Sequence, residues 1–143
     1  IVGEFSEKAE ANQLEMVVEC PQPPVEIYVD GRHLWRIIDN LMGNICKYAQ
    51  PGTRVYVTLE KFHGMVIMTF RNISKDRLKM TSEELFGRFV RGDSSRNTEG
   101  HGLGLSIAKS LTELMHGNLA VQMDGDLFKV ILSFEEYQED KKQ

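Results

Sequence analysis

Gly100-His101-Gly102-Leu103-Gly104-Leu105-Ser106-Ile107-Ala108-Lys109 is a run of alternating glycines that leads straight into an apolar-periodic stretch. Glycine tolerates backbone conformations that a Cβ forbids and lets a bulky anion come close to main-chain N–H groups. A helix that begins there adds unpaired N–H donors and the positive end of its dipole. The stretch therefore reads as a phosphate cradle, although Gly-x-Gly by itself also occurs in ordinary loops. The predicted helix covers Gly104 to Met115 and closes at His116-Gly117.

Working outward, Asp30 has the place of an N-cap. Leu34, Ile37, Ile38, Leu41, Ile45 and Tyr48 follow at the spacing of one buried helical face, ending near Ala49 before Pro51-Gly52. Arg54 to Lys61 and Met65 to Arg71 flank His63-Gly64 as a predicted antiparallel hairpin, and Leu119 to Met123 and Phe128 to Phe134 predict two more strands. Leu14 to Glu19 predicts a strand stopped by Pro21, Pro23 and Pro24, with a short strand at Val25 to Val29. Asn72 to Gly102 loses regular pattern apart from a short helical piece at Ser82 to Phe89. A patternless stretch that long inside a compact domain is usually functional or mobile. This order predicts an α/β sandwich with helices on one face of a mixed sheet.

At 143 residues, 41% hydrophobic and 27% charged, the chain has the size and composition of one globular domain. Glu4 to Asn12 is polar and helix-compatible without a strong apolar face, so residues 1–13 read as a connector from an upstream helical region. Residues 14–135 then form the domain, and 136–143 a charged tail. A first residue of Ile rather than Met reads as a piece of something larger. A net charge of −4 argues against a general nucleic-acid binder, so an anion site must be local. Cys20 and Cys46 lack metal-ligand spacing and read as reduced, core-filling thiols.

The first long helix carries a second stripe. Asn40, Asn44 and Lys47 recur at i, i+4 and i+7, roughly 100° round from the apolar one. Asparagine is a poor residue for a helix interior, so two on one line point to a use. A carboxamide oxygen ligates a hard cation such as Mg²⁺, and a lysine one turn on neutralises phosphate oxygens. A plainly solvated helix face would show the same spacing.

Together these segments resemble the catalytic ATP-binding domain of two-component sensor histidine kinases, of the GHKL superfamily. Asp30 to Tyr48 resembles its N box, Phe86-Gly87-Arg88-Phe89-Val90-Arg91-Gly92-Asp93 its F box, and Gly100 to Leu105 its second glycine box. The resemblance implies an α+β fold of the Bergerat type: a two-layer sandwich whose mixed sheet is mostly antiparallel. It implies ATP and Mg²⁺ as ligands, with Asn44 as the metal ligand, Asn40 its polar partner, Lys47 on phosphate and Tyr48 beside the nucleotide. Gly100, Gly102, Leu103, Gly104 and Leu105 would hold phosphates at the end of a lid whose cationic side is Arg88 and Arg91. One departure stands out. Where the family has Asp-x-Gly-x-Gly, this chain has Asn72-Ile73-Ser74, so Asn72 takes the place of the aspartate that accepts a hydrogen bond from adenine.

None of His33, His63, His101 and His116 has the sequence context of the family's phosphoacceptor. The resemblance thus implies transfer of the γ-phosphoryl group to a histidine on a separate dimerisation domain, with a response regulator downstream. The parent would be a membrane-anchored homodimer with this domain in the cytoplasm. Gyrase-type and repair ATPases need a glutamate one turn before the metal-binding asparagine, and Asn40 stands there, which disfavours hydrolysis. An anti-sigma serine kinase, another ATPase of the superfamily, and a nucleotide-binding scaffold without transfer activity remain as alternatives.

Overall fold

In the computed structural model, residues 2–20, 27–75 and 101–136 are described. Helix α1 (Val2–Ala11) leads to strand β1 (Glu15–Glu19), and helix α2 (Gly31–Tyr48) to the hairpin of β2 (Arg54–Phe62) and β3 (Met65–Ile73). Helix α3 (His101–Leu114) precedes the second hairpin, β4 (Asn118–Asp124) and β5 (Leu127–Glu135). The strands form one sheet in the order β1-β2-β3-β5-β4. β1 and β2 pair in parallel and every other pair is antiparallel. Both layers of the predicted α+β sandwich are present.

The helices cover one face. Even-numbered residues of β3 and β5, among them Val66, Phe70, Val130, Leu132 and Phe134, are buried on that side. Against them α2 buries Ile37, Ile38, Leu41, Met42 and Ile45, and α3 buries Leu105, Ala108 and Thr112. Met42 extends the predicted apolar stripe.

The turns obey local chemistry. His63 and Gly64 have φ of 51° and 78°, the two positive values that a tight hairpin needs to match strand twist. At Gly125, φ 62°, the chain turns from β4 to β5. α3 ends with Gly117 N–H donating to the Thr112 carbonyl and His116 N–H to that of Glu113, a Schellman closure. The left-handed residue there is His116 (φ 65°), not the glycine. Gly117 is needed for another reason: a Cβ on it would lie 2.5 Å from the Phe134 ring and 2.8 Å from the Ser133 carbonyl oxygen.

Some expectations need correction. The polar stretch 4–12 does dock: Phe5 and Ala9 of α1 are buried in the core, and Phe5 meets Trp35 of α2 with ring centroids 5.9 Å apart. α1 closes as α3 does, with Gln13 left-handed (φ 62°) and Leu14 N–H donating to the Ala9 carbonyl. Of the predicted strand at Val25 to Val29, Ile27 forms a single bridge with Glu136, and residues 25 and 26 lie outside the described residues. Glu136, read as tail, also donates its N–H to the Gly64 carbonyl and pairs with Lys61 at 3.5 Å. Cys20, expected in the core, is exposed. Cys46 is half-buried, and burial raises its thiol pKa. Among the described residues no helix is long and apolar enough to cross a membrane.

Asp30 caps α2 as predicted, accepting from Arg32 N–H at 2.8 Å and pairing with the Arg32 guanidinium at 3.2 Å. Hydrogen bonding from Arg32 holds its carboxyl pKa at about 2, below its ordinary 3.8. A carboxylate whose pKa is depressed by folding contributes stability above its unfolded pKa, and that contribution fades as pH falls toward the folded value. The stability gap between wild type and Asp30→Asn, a neutral cap of equal shape, should therefore narrow between pH 4 and pH 2 in thermal melts. A gap that stays constant would show that the charge on the cap contributes nothing.

Candidate functional site

The polar stripe of α2 faces the first turns of α3. A Cβ built on Gly104 would sit 3.8 Å from both Asn44 Nδ2 and Asn44 Oδ1, and 3.9 Å from Asn40 Cβ. That is ordinary van der Waals contact, and Gly104 is not among the residues with positive φ. The predicted glycine turn is thus different in form: the helix begins at His101 and takes Gly102, Leu103 and Gly104 into its first turns. A helix start still supplies main-chain N–H groups without intrahelical partners. Leu105 points the other way, 2% exposed in the core, so it anchors α3.

The C-terminal end of α2 is tied to the end of β3 by main-chain bonds. Gln50 N–H donates to the Ile73 carbonyl at 2.7 Å, Lys75 N–H to the Tyr48 carbonyl at 2.9 Å, and Ala49 bridges Ser74. These contacts fix Asn72 on the helix-facing side of β3, opposite Phe128 of β5 and 4% exposed. Lys47 is exposed, with its Nζ 5.7 Å from the centroid of the half-buried Tyr48 ring. The structure thus brings Asn40, Asn44, Lys47, Tyr48, Asn72 and Gly104 to one region, between α2, the end of β3 and the start of α3. Arg88, Arg91 and Gly100 lie outside the described residues.

Four buried polar atoms in these same elements have no hydrogen-bond partner: Asn40 Nδ2, Asn44 Nδ2, Asn72 Oδ1 and Ser106 Oγ. Folded proteins rarely leave such groups unpaired, which makes these four atoms candidate ligand contacts. Ser106 was missed in the sequence, where one serine inside a helix carries no signal. Arg71 Nε is also unpaired, but Arg71 is on the opposite sheet face, its guanidinium 5.2 Å from the Tyr56 ring. Among the described residues no group of three His, Cys, Asp or Glu side chains could hold a metal. A hard cation here would use carboxamide oxygens together with oxygens of its own ligand.

Two cavities lie away from these residues. One of about 670 Å³ opens beside Gln13, Gly52 and Arg54, and an apolar one of about 220 Å³ lies among Phe5, Met16, Leu34 and Phe70. Neither is lined by the three asparagines.

Comparison with known proteins places the chain in a family and matches its fold. The profile of the "histidine kinase-, DNA gyrase B-, and HSP90-like ATPase" family matches residues 29–138. The sensor histidine kinase RppB of Synechocystis sp. is 33% identical over 137 residues, which cover 92% of this chain and 30% of that protein. This chain thus spans under a third of that relative's length. The solved catalytic domain of the histidine kinase ThkA superposes with a TM-score of 0.77 at 19% identity, covering 94% of this chain and 86% of that one. Full-length ShkA, solved in complex with AMPPNP, gives 0.73 at 23% identity, covering 95% of this chain and 28% of that one. The chain belongs to the histidine kinase-, DNA gyrase B- and HSP90-like ATPase family, and its relatives there include sensor histidine kinases.

Proposed function

We propose that this chain is the catalytic ATP-binding domain of a sensor histidine kinase, which binds Mg-ATP and presents the γ-phosphoryl group to a histidine on a separate dimerisation domain. The observation that carries the reading is the cluster of unpartnered polar atoms on Asn40, Asn44 and Asn72 beside the start of α3. In this reading Asn44 Oδ1 ligates Mg²⁺ while Nδ2 donates to a phosphate oxygen. Asn40 supports it one turn earlier, and Lys47 approaches the phosphates from the rim. The N–H groups of Gly102, Leu103 and Gly104 take phosphate oxygens, and Gly100, Arg88 and Arg91, outside the described residues, are assigned to phosphate by the family resemblance alone. Bound Mg²⁺ offsets charge on the triphosphate, and the protein's own work is positioning and electrostatics, as phosphoryl transfer requires.

The acceptor nitrogen belongs to another domain: the phosphoryl group leaves ATP as ADP departs and forms a P–N bond there. Asn40 stands where a hydrolytic relative needs a general base, so the γ-phosphate is kept for transfer rather than lost to water. The parent protein is a membrane-anchored homodimer in this reading, with the domain in the cytoplasm and a response regulator receiving the phosphoryl group.

Calorimetric titration of the chain with Mg-ATP should show one site, and the chain alone with labelled ATP should acquire no phosphohistidine. Added acceptor domain from its parent should become labelled. An absence of heat with every nucleotide would end the proposal, and a phosphohistidine on this chain itself would overturn the division of labour.

A further inference from the structure

Asn72 has two properties that bear on which base the site accepts. Its side chain is 4% exposed at the end of β3, and its Oδ1 has no hydrogen-bond partner. Main-chain bonds from Gln50 to Ile73 and from Lys75 to Tyr48 hold the backbone just after it, and the β3–β5 ladder pairs Asn72 itself with Phe128. The amide is thus fixed at its root and uncommitted at its oxygen.

A carboxamide ends in one acceptor and one donor on a nearly symmetric frame, and its terminal torsion has two broad wells about half a turn apart. Rotating it exchanges oxygen for nitrogen without changing its volume. A carboxylate in the same place, the family's usual residue, presents only acceptors when ionised. An adenine shows the site a 6-amino donor, and a hypoxanthine or guanine shows a 6-oxo acceptor. The Asn72 amide matches the first with Oδ1 outward and the second with Nδ2 outward. A carboxylate matches only the first, and burial magnifies the mismatch with the second because water is not there to repair it.

We infer that Asn72 makes this site permissive at the purine 6 position, so that it takes 6-oxopurine nucleoside triphosphates as well as ATP. The inference rests on the nucleotide-site reading above. It assigns Asn72 as a specificity-determining residue whose amide turns to suit the base. Phe128, across the strand pair, and Met123, opposite Phe128 on β4, add apolar surface on the same side of the sheet, which favours either purine alike.

The test compares Mg-ATP with Mg-ITP, which differ only at the 6 position and the adjoining N1, by calorimetry on wild type and Asn72→Asp. Wild type should bind the two within about tenfold, and the aspartate variant should favour ATP by about a hundredfold or more. The wild-type ratio stands as a test even if the variant does not fold. A wild type that prefers ATP by more than about a hundredfold would overturn the inference while leaving the ATP site intact. A folded variant with an unchanged ratio would show that Asn72 does not touch the base. Binding of neither nucleotide to wild type would overturn the nucleotide reading itself.

Discussion

Replacing Leu41 by alanine is expected to destabilise the domain by about 2–5 kcal/mol, the largest effect of any single change considered. Leu41 is 2% exposed in the middle of the α2 stripe, with Ile37, Ile38 and Ile45 on the same face. Truncation there removes buried methyl and methylene groups and leaves a void that rigid neighbours on two layers do not close, so lost transfer energy and cavity cost add. Urea unfolding should show a lower midpoint at unchanged slope, since the surface exposed on unfolding is nearly the same. A loss under about 1 kcal/mol would mean that the site collapses readily and that α2 is not tightly packed on the sheet and beside α3.

The largest effect on ligand binding is expected from Asn44→Asp, which should weaken Mg-ATP by about 1.5–3 kcal/mol, or roughly ten- to a hundredfold in Kd. The change removes the Nδ2 donor, one of the buried atoms without a partner, and puts a negative charge beside phosphate oxygens. A carboxylate is the stronger ligand for Mg²⁺, which acts in the opposite direction. Like charges about 4 Å apart repel by about 4 kcal/mol at the effective dielectric of a protein surface, and a triphosphate carries several such charges, so the expected sign rests on that repulsion together with the lost donor. Asn44→Ala, which removes the donor and the ligand without adding charge, should fall between wild type and the aspartate variant. Calorimetry on variants with wild-type melting curves is the check, and equal affinity in all three would remove Asn44 from the site.

What could be read from the sequence follows from how local each feature is. α2 was legible because its cap, its apolar stripe and its stop at Pro51-Gly52 are all within a few residues of it, and the structure returns Gly31–Tyr48. The first hairpin was legible through its His63-Gly64 turn, and the strands of the second through their apolar runs. α1 was legible as helix-compatible, but its docking was not, because that depends on Phe5 and Ala9, too few positions to raise a stripe above a polar background. Of the strand predicted at Val25 to Val29, the described residues show the Ile27 bridge to Glu136. In the site, Asn40 and Asn44 stood out because asparagine is costly inside a helix, and Asn72 because it breaks a family pattern. Ser106 gave no signal, since only its burial without a partner distinguishes it. The form of the glycine run was misread for a related reason: glycine permits a turn but does not demand one, and helix packing carried α3 through Gly102 and Gly104.

The sheet order also says how the molecule is divided. Everything from α1 to β3 is contiguous in sequence, as is everything from α3 to β5, and the two blocks meet at the β3–β5 ladder and where α2 faces α3. A cut anywhere in residues 76–100 would break none of the described strand pairings. Asn40, Asn44 and Asn72 come from one block, and Gly104 and Ser106 from the other, so the candidate site is a joint between two fragments. A molecule bound there touches both and acts as a splint, favouring reassembly of a nicked domain in the same measure as it favours its own binding.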